Sequence, residues 1–185
     1  MKSRKIFIAL LAGAVFILLS VTTWAASPAF MELEGEQQGN IEGSSNIQGR
    51  EGAIIVYAFG HNINIPREVT SGLPTGKRVH APFKILKEFD KSSPKLYQAL
   101  CSGEQMKNVT IKWYRTNPSG QEEHYFTIVL ENAIIVNISP SMPTTFLQAN
   151  EAYRHMETVS FVYQKIKWTW EPDNVESEDS WTVPK

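Results

Sequence analysis

Residues 76–104 read GKRVHAPFKILKEFDKSSPKLYQALCSGE, residues 107–132 read KNVTIKWYRTNPSGQEEHYFTIVLEN, and residues 133–137 add AIIVN. This run decides the fold. Residues 79–89 have strand character, with Pro82 limiting the early part to an edge or a bulge. A short helix is expected over 94–102: Ser92 or Ser93 can accept the free amides of the first turn, Pro94 suits the first helical position, and Gly103 can take the left-handed conformation that ends a helix. Leu96, Ala99 and Leu100 fall on one side, so this helix should cover an open end or edge of a β-structure. Residues 107–116 and 121–130 read as a hairpin around the turn Asn117-Pro118-Ser119-Gly120, with Val109, Ile111 and Trp113 on one face of its first strand. Residues 133–139 form a further strand.

Outward from this run the chain stays all-β. Residues 29–34 make the first strand, 35–49 a polar, glycine-containing connection, and 53–65 a long strand able to bend at Gly60. Pro66 ends that strand, and 67–78 is an extended loop broken by two glycines and Pro74. Residues 158–170 form a last strand whose pattern changes phase: Val159, Phe161 and Tyr163 share one parity, and Ile166, Trp168 and Trp170 the other. A bulge near Gln164, or burial of both faces, explains the change.

Composition bounds the functional classes. With 185 residues and 42% hydrophobic content, the chain supports one barrel or sandwich and is too short for two comfortable domains. Discounting the first 25 residues leaves 15 basic against 19 acidic residues, which argues against nucleic acid or an anionic membrane surface as a charge-driven partner. Cys101 is the sole cysteine, so an intrachain disulfide and a four-thiolate metal site are excluded; at a helix end it reads as a packing residue. His61, His80, His124 and His155 are scattered without metalloprotease spacing, and no metal or organic cofactor is implied.

The N-terminus is different in kind. Lys2, Arg4 and Lys5 precede an apolar stretch at 6–21, and Thr23-Trp24-Ala25 offers the small residues a signal peptidase reads, which makes Ala25 the cleavage candidate. The leader, residues 1–25, is therefore expected to be an apolar helix serving as signal peptide or as an inner-membrane anchor through 6–21, ahead of a domain at 26–185. The positive-inside rule sends that domain across the inner membrane, to a periplasmic or tethered location.

Three motifs are set aside. GLPTGKR at 72–78 is one residue short of a phosphate loop and carries Arg78 where the magnesium-holding Ser or Thr belongs. Glu122 and Glu123 are adjacent on a strand and face opposite ways, so with Glu131 they do not make a glycosidase pair. Asn108-Val109-Thr110 and Asn137-Ile138-Ser139 fall inside expected strands. Trp113, Tyr114, Tyr125, Phe126, Phe161, Tyr163, Trp168 and Trp170 outnumber what one small core can hold, and the surplus suits a subunit interface.

The segments SPAF at 27–30, MELEGEQQGNI, HNINIPRE, SGLPTGKRVHAPF, KWYRTNPSGQEEHYFT, KIKWTW and the late DSW resemble the haemolysin-coregulated protein (Hcp) family of the bacterial type VI secretion machine. The resemblance implies a small two-sheet β-barrel with one flanking helix, assembled as a homo-hexamer into rings that stack as an inner tube. It implies partners too: a contractile sheath, a spike protein at the tip, and small effector proteins held in the lumen. It identifies 67–80 as the loop that reaches the adjacent subunit or ring, with Arg67, Glu68, Thr70, Leu73, Thr75, Lys77, Arg78 and His80 as contact candidates. Residues 140–155 and the leader depart from the family pattern. Two readings result: a non-enzymatic, secreted tube subunit, or a diverged periplasmic or membrane-tethered interaction module. No grouping of nucleophile, base and orienting residue favours an enzyme.

Overall fold

The computed structural model describes residues 27–151 and 154–181; the leader and Ala25 lie outside them. In the first strand, β1 (Ala29–Gly35), Met31 and Leu33 point inward while Glu32 and Glu34 point out. There the two carboxylates meet Lys112 at 2.9 Å and Lys107 at 2.6 Å across the ladder, opposite-charge pairs that favour this register. A tight return brings β2 (Gly39–Asn40) back onto β1. Glu104 holds that return, its Oε1 accepting from the amides of Gln37 and Gln38 at 2.8 Å each.

The segment expected as one long strand at 53–65 is three short ones: β3 (Ile54–Val56), β4 (Ala58–Gly60) and β5 (Ile63–Asn64). The first break lies at Tyr57, whose amide bonds to Leu86 O at 2.9 Å. There the chain leaves β1, which β3 pairs, for β7 (Phe83–Glu88), which β4 pairs. This kinked segment bridges the two edges of a 10-stranded sheet whose remaining order is β2, β1, β8 (Gln105–Thr116), β9 (Glu122–Ser141), β10 (Met156–Val162), β7, β4. Of the expected small two-sheet β-barrel the all-β character with one flanking helix is found; its strands form one curled sheet of ten, with no continuous ladder joining its ends among the described residues.

The strands expected at 121–130 and 133–139 are a single strand, β9, 20 residues long. Asn132 sits at its bend with φ of 51°, a left-handed conformation that Asn tolerates better than most residues. Before the bend β9 pairs with β11 (Lys165–Trp170), and beyond it with β10. The last expected strand is correspondingly two, β10 and β11, separated by Tyr163 and Gln164, and Asn132 Nδ2 donates to Gln164 Oε1 at 2.6 Å across this corner. The phase change at 158–170 is therefore a corner where the chain moves from one half of β9 to the other. A final strand, β12 (Val175–Ser180), which the sequence did not suggest, pairs with β11.

Helix α1 (Ser93–Ser102) buries Leu96 and Ala99 in the core beside Met106, Val109 and Ala133, and Gly103 ends it at φ of 66°. Its start differs from expectation. Neither Ser92 nor Ser93 caps the first turn; Asp90 Oδ1 accepts the Ser92 amide at 2.9 Å instead. Ser93 Oγ is occupied in a buried network, donating to Glu157 Oε1 at 2.7 Å and accepting from Lys87 Nζ at 3.0 Å. Lys87 and Glu157 are register partners on β7 and β10, both with no exposure, and meet at 2.7 Å. Cys101, expected to pack, is exposed, because it lies off the stripe formed by Leu96, Ala99 and Leu100.

Candidate functional site: the projecting arm

The loop expected at 67–78 has more order than an irregular connection. It is the outer part of a two-stranded arm: β5 pairs with β6 (Val79–His80), Arg67 bridges Pro74, and Thr75 N donates to Pro66 O at 2.8 Å. The tip is closed by Glu68 N to Leu73 O and Gly72 N to Glu68 O, both 2.9 Å, with Gly72 at φ of 69° where a side chain would be strained. Glu68 also accepts from Ser71 Oγ at 2.8 Å.

Among the described residues, nothing of the body covers the outer part of this arm. Val69 is 100% exposed and Leu73 65%, and Ile63, Ile65 and Val79 are exposed along its legs. Thr70, Thr75 and Lys77 are exposed as well. Of the eight contact candidates, Arg67, Glu68, Thr70, Leu73, Thr75 and Lys77 thus lie on the open part of the arm, and Arg78 and His80 do not. Those two belong to its root.

At the root the arm is tied to the body by side chains that sequence reasoning left scattered. Arg78 pairs with Asp179 on β12 and donates from Nη2 to Ser180 O at 2.6 Å. His80 lies between Asp179 Oδ2, 2.9 Å from its Nε2, and the Tyr163 hydroxyl, 2.6 Å from its Nδ1. The same hydroxyl is 2.7 Å from His61 Nε2. Burial and the nearby His80 charge push His61 below its ordinary value, and burial, with the Asp179 charge, pushes the Tyr163 phenol up. His61 and His80 are brought together because they flank the two legs of the arm. That proximity follows once Ile63-Asn64 and Val79-His80 are read as antiparallel partners, which sets His61 two residues before the partner of His80 and which treating 67–78 as a plain loop conceals.

The surplus aromatics are less bare than expected. Arg50 lies 3.5 Å from the Tyr114 ring centroid and 4.5 Å from that of Phe30, and Arg115 lies 4.9 Å from both Tyr125 and Trp170. Cation–π contacts within the chain thus cover rings expected to await a neighbour. Trp113, Phe126 and Trp168 pack against the core edge. Glu122 pairs with Arg50 and Glu123 with Arg115, which confirms that they face apart. Among the described residues no group of three His, Cys, Asp or Glu is placed to hold a metal ion, and no helix is long and apolar enough to cross a membrane.

Comparison with known proteins places this architecture. A family model described as "Type VI secretion system effector, Hcp" matches residues 30–170. The "Major exported protein" of Pseudomonas aeruginosa is 44% identical over 168 residues, spanning 86% of this chain and 98% of that protein. A crystal structure of an Hcp protein superimposes with a TM-score of 0.80 at 36% identity, covering 86% of this chain and all of that one. The secreted protein Hcp3 of Pseudomonas aeruginosa does so with a TM-score of 0.69 at 39% identity, covering 85% of this chain and all of that one. With a family match that spans residues 30–170, the arm included, this chain belongs to the Hcp family of type VI secretion proteins.

Proposed function

We propose that the chain is a structural subunit of the type VI secretion inner tube, forming hexameric rings that stack and carry or export small effector proteins. The observation that carries this reading is the arm: the family match runs through it, and it holds Ile63, Ile65, Val69, Leu73 and Val79 in the open on a hydrogen-bonded ribbon. Exposed apolar side chains on an ordered projection suit a contact with another copy. Ring closure requires one patch of the body to meet a different patch on the next copy, and the arm, projecting from that body, offers its exposed side chains to the neighbouring ring. The role is structural rather than catalytic, and secretion through the machine accords with relatives named as exported or secreted proteins.

Native mass measurement on protein beginning at Ser27 tests the reading. A hexamer is expected; a stable monomer at tens of micromolar protein overturns it.

A further inference from the structure

The root of the arm contains a chain of hydrogen bonds with a defined proton count. His61 Nε2, the Tyr163 hydroxyl and His80 Nδ1 follow one another at 2.7 and 2.6 Å, and beyond them His80 Nε2 makes a charge contact with Asp179 Oδ2 at 2.9 Å without hydrogen-bond geometry. A phenol has one proton to donate, and a neutral imidazole one donor and one acceptor nitrogen. With Asp179 ionised and both imidazoles neutral, one assignment fills both links: His61 donates to Tyr163, Tyr163 donates to His80 Nδ1, and His80 carries its own proton on Nε2, the nitrogen that faces the Asp179 carboxylate.

One added proton is accommodated by reversing part of the chain. His80, now protonated on both nitrogens, faces the Asp179 carboxylate and the Tyr163 oxygen; the Tyr163 hydroxyl turns to His61 Nε2, and the His61 proton moves to Nδ1. A second added proton has no such arrangement. Both imidazoles then aim N–H groups at one phenol oxygen, the phenol proton loses its acceptor in a buried setting, and two cationic rings stand 5.9 Å apart. Among the described residues the remaining ring and charged neighbours of the two imidazoles do not relieve this. Arg78 is itself cationic, and Phe83 and Trp181 present rings to His61 and His80.

We propose that this chain is an acid-released latch: it holds the arm to β12 and the Tyr163 corner while His61 is neutral, and lets the root open when both histidines carry charge. The sign follows from linkage. His61 is held below its ordinary value in the closed root and regains about 6.5 once exposed, so the open root takes up protons more readily. Closure is complete above about 6.5 and is lost as pH falls through the closed-state value. The consequence for ring stacking rests on the tube reading; the opening itself does not.

Amide exchange of the full chain, corrected for the intrinsic pH dependence of exchange, tests the latch. From about pH 7.5 to about pH 5, protection at Ile63, Asn64, His80 and Ala81 is expected to fall by up to about ten-fold per pH unit within the titration window, while β9 keeps its protection. His61→Gln, which retains a donor for Tyr163 but does not titrate, is expected to abolish the pH dependence. A flat profile in the native chain, an unchanged slope in His61→Gln, or parallel loss of protection in β9 overturns the proposal. If His61→Gln does not fold, the ring resonances of His61 in the native chain decide: a midpoint shared with arm opening supports the latch, and a different one overturns it. Native mass spectra at the same pH values report ring assembly separately, so a chain that forms no rings refutes the tube reading without touching this result.

Discussion

The curled sheet and the arm follow opposite rules. In the sheet, strands alternate inward and outward, Phe83, Phe161, Met31 and Ile54 have no measurable exposure, and even charged residues turned inward, Lys87 and Glu157, are matched to each other. In the arm, aliphatic residues stand in solvent on a ribbon held by a few main-chain bonds and by one cluster at its root. Burial supplies the stability of the first region; the second contributes little to it and offers its surface elsewhere. The largest effects on folding should therefore come from the sheet and the smallest from the arm, even where the arm governs assembly.

Phe161→Ala should be the most damaging single change, costing ~3–5 kcal/mol because it leaves a cavity between β10 and the other core strands. Urea unfolding measures it, and a loss below about 1 kcal/mol would show that the core is far more yielding than its burial implies.

Glu157→Leu comes next, at about 3 kcal/mol, since it strands the Lys87 ammonium in the interior with Asp90, 2.9 Å away, as its only remaining carboxylate among the described residues. The double change Lys87→Met with Glu157→Leu should recover most of that loss, because a buried ion pair replaced by apolar groups of similar volume is often neutral. Failure of the double variant to recover would mean that the network is needed to seat the N-terminus of α1.

The boundary between the two regions also marks what the sequence discloses. Alternation in 107–116 and the helix signals around Pro94 and Gly103 found real elements, because those patterns come from burial and backbone chemistry within a few residues of one another. Corners were not legible. At Tyr57, at Asn132 and at Tyr163 the chain changes partner, and a change of partner depends on residues far away in sequence, so one expected strand became three, two became one, and one became two. Lys87 shares parity with Phe83 and Ile85, which already pointed inward, but its charge concealed this until Glu157 was seen opposite. In the arm, polarity and glycine content marked an extended loop, and the candidate residues came from the family resemblance. The latch was hidden because His61, His80, Tyr163 and Asp179 meet only after the arm is folded back and β12 is added.

Acid should act on the sheet through a carboxylate as well. Burial alone would raise the Asp90 carboxyl, but its bonds to Ser92 and the ammonium of Lys87 outweigh burial and hold it below its ordinary value. A carboxyl lowered on folding contributes stability that is present above its unfolded value, about 4, and is lost as pH falls through the folded one. The urea midpoint of the native chain should therefore decline between about pH 5 and about pH 3, with a shallower decline in Asp90→Asn. Equal slopes would remove Asp90 from the acid response.

The arm should give the smallest effect on folding and the clearest on assembly. Removing residues 70–74 takes away Leu73 and the Arg67–Pro74 bridge but no core residue, so unfolding free energy should change by no more than about 0.5 kcal/mol. A milder version, Val69→Ser, alters one fully exposed side chain and should be silent in unfolding altogether. If the arm joins rings, both variants should still give hexamers by native mass, and electron microscopy of concentrated protein should show fewer stacked rings than for the unaltered chain. The joint repeats around the ring, so a loss too small to measure in one subunit is multiplied where rings meet. Stacking equal to that of the unaltered chain would remove the arm tip from the contact between rings. Collapse of either variant to monomers would place the tip inside the ring, between neighbours, where the arm would serve as a subunit interface and not as the joint between stacked rings.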